Sequence, residues 1–142
     1  MSRSVNTETV DLLKSAGVTE LAVANTDVAY SYTFLLDKRS FGLEIQLDVT
    51  SGTPDVKIEL ECGSSEPGTE GASDTDFVIA QALGGGTNPD CVIDSSCNTE
   101  LVRFYPLPPV VAPFQRLKFT GQNSNPASAK VVRARVHMIQ NQ

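Results

Sequence analysis

Tryptophan is absent from this chain of 142 residues, histidine occurs once, and aromatic residues of all kinds make up only 6%. A sugar-stacking platform or a base-stacking nucleic-acid surface therefore has little to be built from, since both lay rings on aromatic faces. Excess positive charge is missing too. The net charge is −6 and the pI near 4.6, which disfavours nonspecific binding to nucleic acid or to an anionic membrane. Cysteine is scarce and odd in number, at three, a poor fit to a secreted disulfide scaffold. No apolar run reaches the length of a signal peptide or membrane span, and no Asn-x-Ser/Thr glycosylation site occurs. These absences predict a chain made and kept in the cytoplasm, or one that leaves it within an assembly.

Catalytic signatures are missing as well. The sequence holds no nucleophile elbow, zinc-binding His-Glu-x-x-His, phosphate loop, dinucleotide fingerprint or Cys-x-x-Cys pair. The glycine triplet Gly84-Gly85-Gly86 is followed by no Gly-Lys-Ser/Thr and reads as a loop. No motif ties His137 to a nucleophile, so it reads as a solvated strand residue. The expectation is a protein that is not an enzyme and needs no cofactor.

What remains is alternation. From Ser40 to Cys62 the chain reads SFGLEIQLDVTSGTPDVKIELEC. Phe41, Leu43, Ile45, Leu47 and Val49 alternate with polar residues, and Val56, Ile58, Leu60 and Cys62 do so again. A period of two puts one set of side chains in a core and the other in water, so both runs are predicted strands. The intervening Thr50-Ser51-Gly52-Thr53-Pro54 suits a turn, and the whole reads as a hairpin. Further strands are predicted at 19–24, 28–36, 77–83, 99–105, 114–120 and 129–140. In the 28–36 run Tyr30, Tyr32, Phe34 and Leu36 would share a face. In the last run Val132, Ala134, Val136 and Met138 would point inward and Arg133, Arg135 and His137 outward. Four prolines between Pro106 and Pro113 forbid a central strand and favour a stiff crossover.

About eight strands without a helix pattern predict an all-β fold, an antiparallel two-sheet β-sandwich. Pattern does not separate jelly-roll from immunoglobulin-like connectivity. The jelly roll is favoured because eight strands are available and the immunoglobulin Cys, Trp, Cys signature is missing. The expected organisation is an N-terminal arm over residues 1–18 and a single domain over 19–142. The arm is either frayed or docked locally by its apolar residues, or it reaches a neighbour, in which case Val10, Leu12 and Leu13 are candidates for contact with another subunit or the capsid.

Charge is distributed in blocks. Residues 1–39 carry a net −1, residues 40–102 a net −11, and residues 103–142 a net +6 with no acid at all. Either the basic last strands lie beside the acidic middle strands in one sheet, or the two blocks meet between copies of an oligomer. The acidic face would be Glu44, Asp48, Glu59 and Glu61, and the basic face Arg116, Lys118, Arg133 and Arg135. The loop acids Glu66, Glu70, Asp74 and Asp76 could ligate a hard cation, but their spacing matches no dedicated calcium loop, so no metal is expected. Cys91 and Cys97 could close a small disulfide loop or remain reduced. Zinc would need four ligands, with only Cys62 and His137 left to complete the set.

The order of these features resembles the small β-sandwich virion proteins of tailed bacteriophages, in particular capsid decoration (cement) proteins. An early VDLLKSAGVTEL segment precedes the alternating FGLEIQLDVTSGTPDVKIELE. The Pro-rich PLPPVVAPFQRLKFTGQNSNPASAKVVRARVHMIQ then supplies a strand, an Asn/Ser turn and a closing strand of alternating basic and apolar residues. The resemblance implies a structural protein that assembles in the bacterial cytoplasm and joins the virion. It implies binding of the major capsid protein on the outside of the head, as a homo-oligomer with a trimer favoured. Two alternatives stay open: a phage tail or host-surface adhesin that binds glycan or receptor, for which Tyr30, Tyr32 and Tyr105 are the candidate aromatics, and a nonviral binding domain.

Overall fold

A computed structural model describes residues 7–13, 20–35, 40–52, 56–79, 93–95, 102–106, 112–121 and 127–139. The described segments are β1 (Thr7–Asp11), β2 (Leu21–Ala24), β3 (Val28–Tyr30), β4 (Ser40–Ser51), β5 (Val56–Gly63), β6 (Val78–Ile79), β7 (Ile93–Ser95), β8 (Arg103–Pro106), β9 (Phe114–Gly121) and β10 (Ser128–Ile139). They form two five-stranded antiparallel sheets. The first runs β1–β10–β4–β8, with β2 also on β10. The second runs β3–β9–β5–β6, with β7 also on β5.

Pairing shows how the chain is rolled. The strand β2 pairs with β10, β3 with β9, β4 with β8, and β5 with β6 and β7. The chain is thus one long antiparallel ribbon folded over itself. Rolling brings β10 against β4 and β9 against β5 to close the two sheets. The two packed antiparallel sheets are the β-sandwich that the strand pattern predicted, and the order of pairing is that of a jelly roll, which the pattern alone did not separate from an immunoglobulin-like connection.

Rolling also corrects the hairpin expected at Ser40 to Cys62. Here β4 lies in the first sheet and β5 in the second, so the two strands do not pair with each other. Alternation alone does not separate these cases, because either strand needs only one apolar face. Charge does. A β4–β5 ladder would range Glu44 and Asp48 on the same face as Glu59 and Glu61, and like charges side by side are unfavourable. In the observed register Glu44 instead stands opposite Arg135, Asp48 opposite Lys130, Glu59 opposite Lys118 and Glu61 opposite Arg116.

Between the sheets lies a core contributed by alternate residues. Leu43, Ile45 and Leu47 of β4 and Val131, Ala134 and Val136 of β10 meet Val56, Ile58 and Leu60 of β5 and Leu117 and Phe119 of β9. Each of the larger side chains contributes about 1.5–3 kcal/mol by leaving water.

Two irregularities alter the predicted faces. In β10 the register slips between Val131, opposite Leu47, and Arg133, opposite Gln46. Val132 is the extra residue of a bulge, so the inward set is Ala129 and Val131, then Ala134, Val136 and Met138. The expected inward Val132 is only half-buried. In the 28–36 run β3 stops at Tyr30. Ser31 pairs with Leu117 and Phe34 with Gln115, which again leaves one residue too many on that side. Phe34 therefore enters the core, while Tyr30 lies on the outer face against Arg116. The Ser31 hydroxyl takes up the slack by accepting the Leu117 N–H at 2.9 Å.

The expected arm is not separate over its described part. The strand β1 is hydrogen-bonded along β10, and Leu12 and Leu13 are core residues. Near the opposite end of β10 the β2–β3 turn crosses between layers at Asn25, whose φ of 50° is left-handed. It is clamped by Ala127, whose carbonyl oxygen accepts the Asn25 N–H and whose own N–H donates to Asn25 Oδ1. Gly121 passes so close that a Cβ there would collide with the Asn25 carbonyl oxygen. Gly121→Ala should therefore cost about 1–3 kcal/mol by overpacking, read as a lowered urea midpoint. Gly42→Ala, in open space, should cost far less.

Candidate functional site

Both outward sheet faces carry charged clusters more ordered than a solvated surface requires. On the first sheet, β4 contributes Glu44, flanked by Arg133, Arg135 and His137 of β10. The Glu44 carboxylate accepts from Arg133 Nη1 at 2.8 Å and from His137 Nε2 at 2.8 Å, with Arg135 Nη1 at 3.9 Å. It is 6% exposed, although it projects away from the core. An ionised carboxylate only accepts, so Nε2 of His137 carries the proton. Nδ1 lies 3.0 Å from the Thr9 hydroxyl on β1. Burial alone would raise the Glu44 pKa. The hydrogen bonds from His137 and Arg133, with the charges of Arg133 and Arg135, outweigh it and hold the group below its ordinary 4.5.

Thr9, His137 and Glu44 together form a hydroxyl, imidazole and carboxylate chain. The geometry matches a nucleophile relay, but Thr9 stands exposed on a strand face of the sheet, where strand pairing places polar side chains in rows. The neighbouring residues suit binding better. Phe104 of β8 is 69% exposed and leans toward His137, its ring centroid 6.3 Å from the imidazole. Gly42, between them on β4, leaves that approach unobstructed. Ile139 is exposed at the end of β10.

On the second sheet the centre is Arg116 of β9. It points outward yet is 0% exposed. Its Nε donates to Glu61 at 2.9 Å and its Nη1 to the Ala72 carbonyl oxygen at 2.6 Å. The guanidinium lies between the rings of Tyr30 and Phe77, 4.1 and 4.7 Å from their centroids. Nη2 is buried without a hydrogen bond among the described residues, and the two ring faces are its compensation. Ala72 and Phe77 belong to the β5–β6 connection, so this side chain fastens that connection over the sheet. Asp74 braces it from within by accepting from the Gly68 and Asp76 amides, which lower its pKa.

The expected contact residues thus divide. Leu12 and Leu13 are spent in their own core, Val10 packs against it, and Arg116 is sealed. None of the four offers much surface to a neighbour. Lys118 is half-buried beside Glu59, whereas Arg133 and Arg135 keep about a third of their side chains exposed. Among the acids Glu44, Glu59 and Glu61 are buried and Asp48 is exposed. The acidic and basic blocks therefore meet within one chain. Of the tyrosines proposed for a glycan surface, Tyr30 is stacked on Arg116 and Tyr105 packs against the core. Cys91 and Cys97 lie outside the described residues, Cys62 is a buried free thiol, and no metal-binding group of three ligands occurs among the described residues.

Phe104 and the Tyr30–Arg116–Phe77 stack were missed from sequence. Phe104 carried a signal, since in Arg103-Phe104-Tyr105 two aromatic neighbours cannot both face the core of a strand.

Glu44→Gln should destabilise the fold by about 1–2 kcal/mol at neutral pH. The folded pKa is depressed, so the carboxylate stabilises above its unfolded pKa and ceases to as pH falls through the folded one. The gap between the two proteins in urea melts should close on acidification below 4.5. Arg116→Ala leaves Glu61 buried without its cation and should cost about 3–5 kcal/mol. It should also expose residues 64–76 to limited proteolysis.

Neither a scan against protein-family models nor a search of curated proteins finds a match to this chain.

Proposed function

We propose that this chain is a non-enzymatic virion protein that decorates the outside of a bacteriophage head. It would bind seams between major capsid protein subunits through the outward face of the β1–β10–β4–β8 sheet. The observation that carries this reading is the combination on that face of an exposed aromatic with one arginine hydrogen-bonded in place and a second beside it. Phe104 is presented to solvent, while Arg133 and Arg135 converge on the single carboxylate of Glu44. Aromatic and arginine side chains dominate the energetics of protein interfaces. Ordering arginines beforehand lowers the entropy lost on docking. The jelly roll supports the reading at the level of fold, because capsid and lectin domains both use it.

Such a protein needs no chemistry. By binding assembled subunits and not free ones, it stabilises the assembled form through mass action. Assembly in the bacterial cytoplasm and a trimer at local threefold positions belong to the same proposal.

The first test is whether a major capsid protein gene neighbours this one; heads assembled from that protein are then incubated with the purified chain and sedimented. Binding should saturate and should raise the temperature at which heads open. Phe104→Ala should weaken it at least tenfold, as loss of an interface hot spot does. Failure of the wild-type chain to sediment with heads overturns the proposal, and attachment to host cells instead of heads would favour the adhesin. Full binding by Phe104→Ala would remove this face from the mechanism.

A further inference from the structure

We infer that a groove at one end of the β3–β9–β5 sheet takes a basic side chain, lysine or arginine, borne on an apolar segment of a partner protein. The groove encloses 380 Å³, toward the lower end of the range of about 300–1,000 Å³ usual for ligand pockets. It is lined by the stretch 32–35 that follows β3, by the β5–β6 connection and by Phe114. It belongs to the opposite sheet from Phe104, so it stands apart from the proposed head-binding face.

Its lining combines two chemistries. Tyr32, Phe114 and Pro67 provide flat apolar walls, and Leu35 beside them is 61% exposed. Glu66 and Glu70 provide negative charge, with no basic side chain among the described lining residues. Among the described residues neither glutamate pairs with a cation. Glu70 is nonetheless held in place, because the Thr33 N–H and hydroxyl both donate to its Oε2, at 3.1 and 3.0 Å. Its Oε1 has no hydrogen-bond partner among the described residues.

A carboxylate held this way, next to aromatic and proline surfaces, selects for a long aliphatic stem ending in a cation. The stem covers Leu35 and Pro67, and the cation meets Glu66, Glu70 and the ring faces. An acidic partner would be repelled. A neutral apolar one would strip water from two carboxylates without compensation. A metal ion would want more oxygen ligands than two glutamates provide. The net −11 over residues 40–102 favours approach of a cationic segment at long range. The β5–β6 wall is itself fastened by Arg116, so the groove exists before its occupant arrives.

The full chain, isotope-labelled, is titrated with the blocked peptide Ala-Leu-Lys-Leu-Ala and with versions carrying arginine, norleucine or glutamate at the centre. The lysine and arginine peptides should produce saturable shifts at the amides of Thr33, Leu35 and Gly68, weakening as salt is raised. The norleucine and glutamate peptides should not. Glu66→Gln with Glu70→Gln preserves shape while removing charge, and should weaken the lysine peptide roughly tenfold. Equal binding of the norleucine peptide overturns the inference, because the groove would then be merely apolar. Absence of shifts at millimolar peptide, or shifts mapping elsewhere, also overturns it. Since the assay contains no phage heads, its outcome is independent of the capsid reading.

Discussion

A carboxylate that is removed from water must find a cation within reach, and this requirement shapes both faces of the sandwich. Glu44, Glu59 and Glu61 are buried although each points away from the core. Glu44 draws its cations from β10 and Glu61 from β9, the last two strands of the chain, while Glu59 pairs with Lys57 of its own strand and stands opposite Lys118 of β9. The rolled arrangement puts those strands directly beside β4 and β5, so each acid lies next to its counter-charge. Losing one partner is expensive, because the other remains buried and uncompensated. Hydrophobic alternation accounts for there being two sheets, and charge pairing accounts for which strands become neighbours within them.

This division explains what was legible beforehand. Leu43, Ile45, Leu47, Val56, Ile58 and Leu60 alternate without interruption, and the structure buries all six. Connectivity was harder, since the same alternation serves a hairpin and a bridge between layers. The clue was the charge pattern, in which an acid-rich pair of strands needs basic neighbours. Bulges were harder still. Val131-Val132 gives two adjacent apolar residues with no sign of which is inside, and the Ser31 hydrogen bonds that flip Phe34 inward depend on a strand far along the chain. Arg116 was read as surface because its strand parity is outward. Its burial comes from Phe77 and the chain around Ala72, a tertiary covering that no local pattern encodes.

The two outward faces serve different ends. On the β10–β4 side charged groups are fixed but partly open to solvent, and an aromatic ring stands free beside them. On the β9–β5 side the guanidinium is used internally, to hold an irregular connection in a defined shape. A flat strand ladder has no concavity of its own. Pinning a connection over one end of it creates a recess lined by residues far apart in sequence, from Tyr32 to Phe114.

The pairing of β1 with β10 sets Thr7 opposite Ile139. The chain thus enters and leaves the sandwich side by side, on one edge and at one pole. A label carried at Thr7 and one carried at Ile139 would stand side by side and compete for the same space. The proximity also makes the fold a natural subject for circular permutation. A short linker could join the existing ends, and new ones could be opened at Gly52, between β4 and β5, with every strand pairing retained.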